Sequence, residues 1–157
     1  MQQPIRTVLS MPRLLSTKNG NSVELLAEID LFHACSRDEL RQIRSLSTQI
    51  RVQEGHVLCK QGAVGSDAFI ILSGYADVCI NAIWVNEIGP GDFFGEMALL
   101  DGGPRVADVV ANTAMDLLAL NRAEFRSLLL RVPKVAVEML EGVGRRLRAI
   151  QTTGPII

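Results

Sequence analysis

The sequence predicts an α+β domain, mainly β: an antiparallel β-roll or jelly roll set between N-terminal and C-terminal helices. Three observations point there. Between about residues 49 and 120, short runs rich in Val, Ile and Leu alternate with glycine-containing turns at regular intervals. On either side the apolar residues recur with a helical period instead. The chain has 157 residues, 48% of them hydrophobic and 21% charged, which suffices for one packed core and excludes global disorder.

Taken in order, residues 1–21 read as a mobile arm or linker. They carry Arg6, Arg13 and Lys18 with no acid before Glu24, and Pro4, Pro12 and Gly20 punctuate them. Their apolar run is too short for a signal peptide and lacks a cleavage site. A domain over 22–150 follows. Its first part, 22–47, is helical: Leu25, Leu26, Ile29 and Phe32 recur at helical spacing. Ser36 with Glu39 three residues on forms a capping box for a second helix, whose stripe is Leu40, Ile43 and Leu46.

The β-roll spans 48–120, with runs at 50–52, 56–59, 68–72, 75–80, 83–88, 106–111 and 115–120. Turns fall at Glu54-Gly55, Gln61-Gly62, Ser73-Gly74, Gly89-Pro90-Gly91 and Asp101-Gly102-Gly103-Pro104. Ala76, Val78 and Ile80 share one strand face and Asp77 takes the other, as expected when one face packs inward. Over 121–150 the helical period returns. Asn121 caps a helix with Glu124 at its third position, and Pro133 interrupts. A last helix from Lys134 carries Ala136, Met139, Leu140, Val143, Leu147 and Ile150 on one stripe. A polar tail occupies 151–157.

Composition narrows the function. Aromatics are only 4%, so the core is aliphatic. The net charge of −1 argues against a domain whose main partner is a nucleic-acid backbone. No run approaches the roughly 18 to 20 apolar residues of a membrane span, so the membrane part of any channel would lie outside this sequence. Cys35, Cys59 and Cys79 are widely spaced with no Cys-x-x-Cys, which reads as reduced buried thiols and a cytoplasmic location.

The informative segment is 89–111, GPGDFFGEMALLDGGPRVADVVA. Gly95-Glu96-Met97-Ala98-Leu99-Leu100 reads as a helical turn after a glycine-rich stretch, and free amides at such a turn attract an anion. Pro104-Arg105 ends another glycine-rich loop, and arginine's planar fork suits two phosphate oxygens. Glu96 would repel that phosphate unless it accepts hydrogen bonds from something the phosphate carries. A sugar hydroxyl meets the need, so the residues point to a phosphorylated sugar.

FGEMALLDGGPR resembles the phosphate-binding cassette of cyclic nucleotide-binding domains, the cAMP- and cGMP-sensing modules of catabolite-activator-type regulators, protein kinase A regulatory subunits and cyclic nucleotide-gated channels. The resemblance extends over roughly residues 24–150, through CSRDEL, Gly55, Gln61-Gly62, DAFIILSGYADV and Ile88-Gly89-Pro90-Gly91-Asp92. It implies that Gly95 and Glu96 bind the ribose 2′-hydroxyl and that Met97, Ala98 and nearby amides line the phosphate. Arg105 would pair with the exocyclic oxygens, and the backbone at Val106-Ala107 would complete the cradle. Val78 and Ile88 would touch the purine, under a lid from the last helix at Arg146 or Leu147.

Two departures matter. Val106 stands where a threonine supports guanine in cGMP-selective members, which favours cAMP. Asp108 stands where a small Ser or Thr is usual; facing inward it would oppose an anion, facing outward it is a surface acid. The resemblance further implies a regulatory module that acts through a fused output domain or a partner protein, with no cofactor. The alternative is an interaction module, or a regulatory fragment of a transcription factor, whose roll has lost its ligand. A homodimer through the last helix is a further option. His33 and His56 sit in no nucleophilic or metal-ligating pattern, so an enzyme or a metal-dependent cupin is not expected. Only seven residues follow Ile150, too few for a DNA-reading element.

Overall fold

The structure, a computed structural model, describes residues 22–151, with side-chain surroundings over 23–149. The expected arm, the tail beyond Gln151 and the side chain of Ile150 lie outside the described residues. The helical entry is α1 (Ser22–Ala27), a 3-10 turn at Asp30–Phe32, and α2 (Arg37–Leu46). Ser36 and Glu39 form the expected capping box, the Ser36 Oγ accepting from the Glu39 amide at 3.2 Å and Glu39 Oε1 from the Ser36 amide at 3.0 Å. Leu26, Ile29 and Phe32 are buried as the periodicity requires, whereas Leu25, the neighbour of Leu26 on α1, turns to solvent.

Eight strands follow: β1 (Thr48–Val52), β2 (Val57–Cys59), β3 (Asp67–Ser73), β4 (Ala76–Ile80), β5 (Ile83–Ile88), β6 (Phe93–Phe94), β7 (Asp108–Ala111) and β8 (Met115–Asn121). They form two four-stranded sheets, β1-β8-β3-β6 and β2-β7-β4-β5, whose pairings are all antiparallel. The first sheet is buried on both faces. Ile70, Leu118 and Leu120 meet the helices, while Phe69, Ile71 and Leu117 meet the second sheet. That is why β3 reads as a continuous apolar run rather than an alternation. The two-residue β6 is too short to show a period, and the sequence reading misses it. Its Phe94 stacks on Phe69 with centroids 5.0 Å apart, and Phe93 points to the helical side.

Two strand expectations need correction. In β4, Ala76 is buried but Ile80 is 38% exposed, because the inward face opens toward the strand's end. A bulge between the Val78–Asn86 and Cys79–Trp84 pairs leaves Val85 unpaired on β5. β7 begins at Asp108, so Val106 and Ala107 precede the strand; Val106 is exposed and Ala107 buried.

The helix α3 (Glu96–Asp101) interrupts the roll, and α4 (Arg122–Arg131) and α5 (Pro133–Gln151) close it. Asn121 and Glu124 form the expected capping box, with both bonds at 2.9 Å. Asn121→Ala is expected to cost about 1 kcal/mol, read as a lower urea midpoint at unchanged slope.

The stripe expected on α5 is displaced. Val132, Val135 and Met139 are buried and Val143 is partly buried, while Leu140 and Leu147 are 70% and 54% exposed. Apolar residues occupy two overlapping stripes of this helix, and periodicity cannot choose between them. Packing of Val132 and Val135 against the helical core sets the rotation. Lys134 adds a 2.9 Å ion pair to Glu39 at the start of α2.

Candidate functional site

The site is built around two tight places in the chain. Gly95 has φ +81°, a left-handed conformation suited to glycine, and serves as the N-cap of α3 with no side chain capping the helix amides. A Cβ there would lie 2.6 Å from Arg105 Nη1. The second place is the loop from Gln61 to Ser66, which is hydrogen-bonded to the cassette's far end. The Gly62 amide donates to the Arg105 carbonyl and the Arg105 amide to the Ala63 carbonyl, each at 2.8 Å, and Val64 bridges Pro104.

These contacts carry the Arg105 side chain inward. Its guanidinium donates from Nη1 to the Gly95 carbonyl at 2.9 Å and from Nη2 to the Asp67 carbonyl at 2.7 Å. The residue is only 7% exposed, yet among the described residues it has no ion-pair partner. Gly65 makes room for it, since a Cβ at that position would sit 2.7 Å from Ala98 Cβ and 2.8 Å from Arg105 Cζ. The sequence reading passes over Gly65 and Asp67. Gly65 belongs to no motif, and Asp67 contributes only its carbonyl, which no residue type announces.

Glu96, at the first position of α3, is also buried at 5% exposure. Its Oε1 accepts from Arg146 Nη1 of α5 at 2.9 Å. Arg146 also donates to the Phe93 carbonyl and lies over the Phe93 ring, 4.4 Å from its centroid. Gly142, one turn earlier, allows the approach: a Cβ there would come 3.1 Å from Phe93. Arg146 therefore lies on the inward face of α5, in line with Val135, Met139 and Gly142. Leu147 does not join it and is exposed. Phe93 was missed as a site residue, although it lies inside the motif.

Of the other expected residues, Ala98 and Ala107 are buried and Met97 is half exposed. Val78 is half-buried on β4, opposite Val109 and Asn86, while Ile88 is buried opposite Ala76. The question left open for Asp108 is answered: its Oδ1 accepts from the Gln61 amide at 2.7 Å, so the carboxylate holds the Gln61–Ser66 loop. Cys59 lies beneath the site; burial pushes its thiol up to about 11 against the opposing pull of Arg105. Burial also raises Cys35. The thiols are all free, but only Cys59 is fully buried, a correction to the expected three. Arg122 of α4 steadies α3 by donating to the Leu99 carbonyl at 3.0 Å. A groove of about 490 Å³ runs along that side of α3, and a cleft of about 290 Å³ lies between Asp92, Glu138 and Arg145.

The arrangement offers a buried cation beside uncapped amides and a buried carboxylate tied to the closing helix. A family model for the cyclic nucleotide-binding domain matches residues 49–132, more than half of the chain. The chain belongs to the cyclic nucleotide-binding domain family. Over 114 residues this domain is 40% identical to a cyclic nucleotide-gated potassium channel of Rhizobium etli, covering 72% of this chain and 32% of the channel. It superposes on the Thermus thermophilus catabolite activator protein with TM-score 0.71 and 31% identity, covering 78% of this chain and 60% of the other. It is also similar to a cAMP-binding acyltransferase of Mycobacterium smegmatis, with TM-score 0.71 and 26% identity, over 82% of this chain and 41% of that one. The chain thus spans about a third of the length of the channel relatives. Among the described residues no helix is long and apolar enough to cross a membrane, and no group of three or more His, Cys, Asp or Glu is placed to hold a metal.

Proposed function

We propose that this domain senses a cyclic nucleotide, prefers cAMP to cGMP, and passes the signal on by repositioning α5. The observation that carries the reading is Arg105. A buried guanidinium is costly unless something balances it, and two carbonyls leave one N–H on each terminal nitrogen for the exocyclic phosphate oxygens. Around that phosphate would stand the amides of Met97 and Ala98 and the backbone of Val106 and Ala107. Glu96 and Gly95 would take the ribose 2′-hydroxyl. Val106 has no hydroxyl to support a guanine amino group, which favours cAMP.

The link to α5 runs through Glu96. One carboxylate serves both Arg146 and the ribose, so occupancy of the site and the seat of the helix are coupled. The output would be a fused domain or a partner protein reading α5. No catalytic step is assigned to this domain; the His33 ring nitrogen Nδ1 bonds to the Asp30 carbonyl at 2.7 Å. Three free thiols suit a reducing compartment such as the cytoplasm.

Calorimetric titration tests the reading. Heat is expected with cAMP, and weaker binding with cGMP; no binding of either at millimolar ligand overturns it. Hydrogen exchange over residues 134–149 tests the relay. Protection is expected to change when cAMP is bound, and equal protection with cAMP bound overturns the relay while leaving the binding site intact.

A further inference from the structure

β7, β4 and β5 lie side by side, and their inward residues form cross-strand rows. Ala111, Ala76 and Ile88 make one row, all at or below 8% exposure within the core between the sheets. Two residues along each strand, Val109, Val78 and Asn86 make the next row. A strand's side chains alternate, so this row faces the same way as the first. The opposite face is marked by Asp77, whose Oδ1 accepts from Trp84 Nε1 at 3.1 Å, and by Glu87, which accepts from Asn112 at 3.2 Å. The β5 bulge at Val85 falls beyond Asn86 and leaves this parity untouched.

The second row opens as it crosses the sheet. Val109 is buried, Val78 is half-buried and Asn86 is exposed. Arg105 precedes Val109, the buried end of this row, by four residues, and Val78, the row's middle member, is one of the two residues expected at the purine. At Asn86 a carboxamide breaks an otherwise apolar inward face. Asn86 makes no side-chain hydrogen bond to any described residue, so its donor and its acceptor are both available.

We infer that Asn86 is the residue that selects the purine. The inference rests on the reading of the domain as a cyclic nucleotide sensor. A carboxamide presents one acceptor and two donors, and these complement the N6–H donor and N7 acceptor along one edge of adenine. Guanine offers two acceptors, O6 and N7, along the same edge, so the amide oxygen is left facing an acceptor. Val78 supplies apolar contact for the ring beside it.

The test compares wild type with Asn86→Val and Asn86→Ala, titrating each with cAMP, cGMP and 7-deaza-cAMP, which lacks the N7 acceptor. Wild type is expected to bind cAMP about tenfold more tightly than 7-deaza-cAMP, and also more tightly than cGMP. Both variants are expected to lose about tenfold for cAMP, to erase the difference between cAMP and 7-deaza-cAMP, and to narrow the cAMP-to-cGMP ratio. Circular dichroism melts establish that each variant is folded. Cyclic nucleotide binding with ratios unchanged in both variants overturns the role of Asn86 alone. Wild type binding neither cyclic nucleotide overturns the sensor reading and this inference with it.

Discussion

Arg105→Ala is expected to weaken cAMP binding by about 2–5 kcal/mol, or roughly 30-fold to several thousand-fold. The side chain is buried, lacks an ion-pair partner among the described residues, and is oriented by the carbonyls of Gly95 and Asp67. Its removal takes away the positive charge facing the proposed phosphate. It also takes the guanidinium bonds away from two part-buried carbonyls, so part of the loss is a truncation cost rather than the worth of the contact. Arg105→Lys is expected to recover little, because an ammonium cannot bridge two carbonyls and two phosphate oxygens with one planar fork. Titration calorimetry, beside a circular dichroism melt for each variant, measures the effect. Affinity for cAMP unchanged in a folded Arg105→Ala protein would place the phosphate elsewhere.

Gly65→Ala is the next largest expected effect. The new methyl would fall within 2.8 Å of both Ala98 and Arg105, where real side chains essentially never stand. Neither neighbour yields easily: Ala98 is part of α3, and Arg105 is pinned at both terminal nitrogens. Overpacking of this kind costs about 1–3 kcal/mol. Because the clash falls on the cassette and spares the core between the sheets, the loss is expected mainly in cAMP affinity, with a smaller drop in the urea midpoint. A variant equal to wild type in both measurements would mean that the Gln61–Ser66 loop shifts without strain.

Much of the site is legible because the chemistry sits in consecutive residues. Gly95, Glu96 and Arg105 stand in one segment whose residue types already imply an anion beside a hydroxyl. The capping boxes at Ser36 and Asn121 are legible for the same reason, since each is a local exchange of hydrogen bonds over three residues. What lies outside such local patterns was missed or misplaced. Gly65 approaches Arg105 across 40 positions of sequence, and Arg146 reaches Glu96 across 50.

The helix α5 shows the limit most clearly. Its existence, its start to within one residue of Pro133 and its amphipathic character follow from the proline and the period of its apolar residues. Its rotation does not, because two stripes satisfy that period. The decision is tertiary: burial of Val132, Val135 and Met139 turns Leu140 and Leu147 outward and brings Arg146 onto Phe93 and Glu96. Asp108 follows the same rule, its direction being fixed by strand parity in β7 and by the Gln61 amide. The sequence by itself thus determined the order of elements, the helix caps and the cassette, which rest on contacts a few residues apart. Only the tertiary structure decided which face of α5 meets the site, what holds Arg105 and where Asn86 points, because those depend on contacts between segments far apart in the chain.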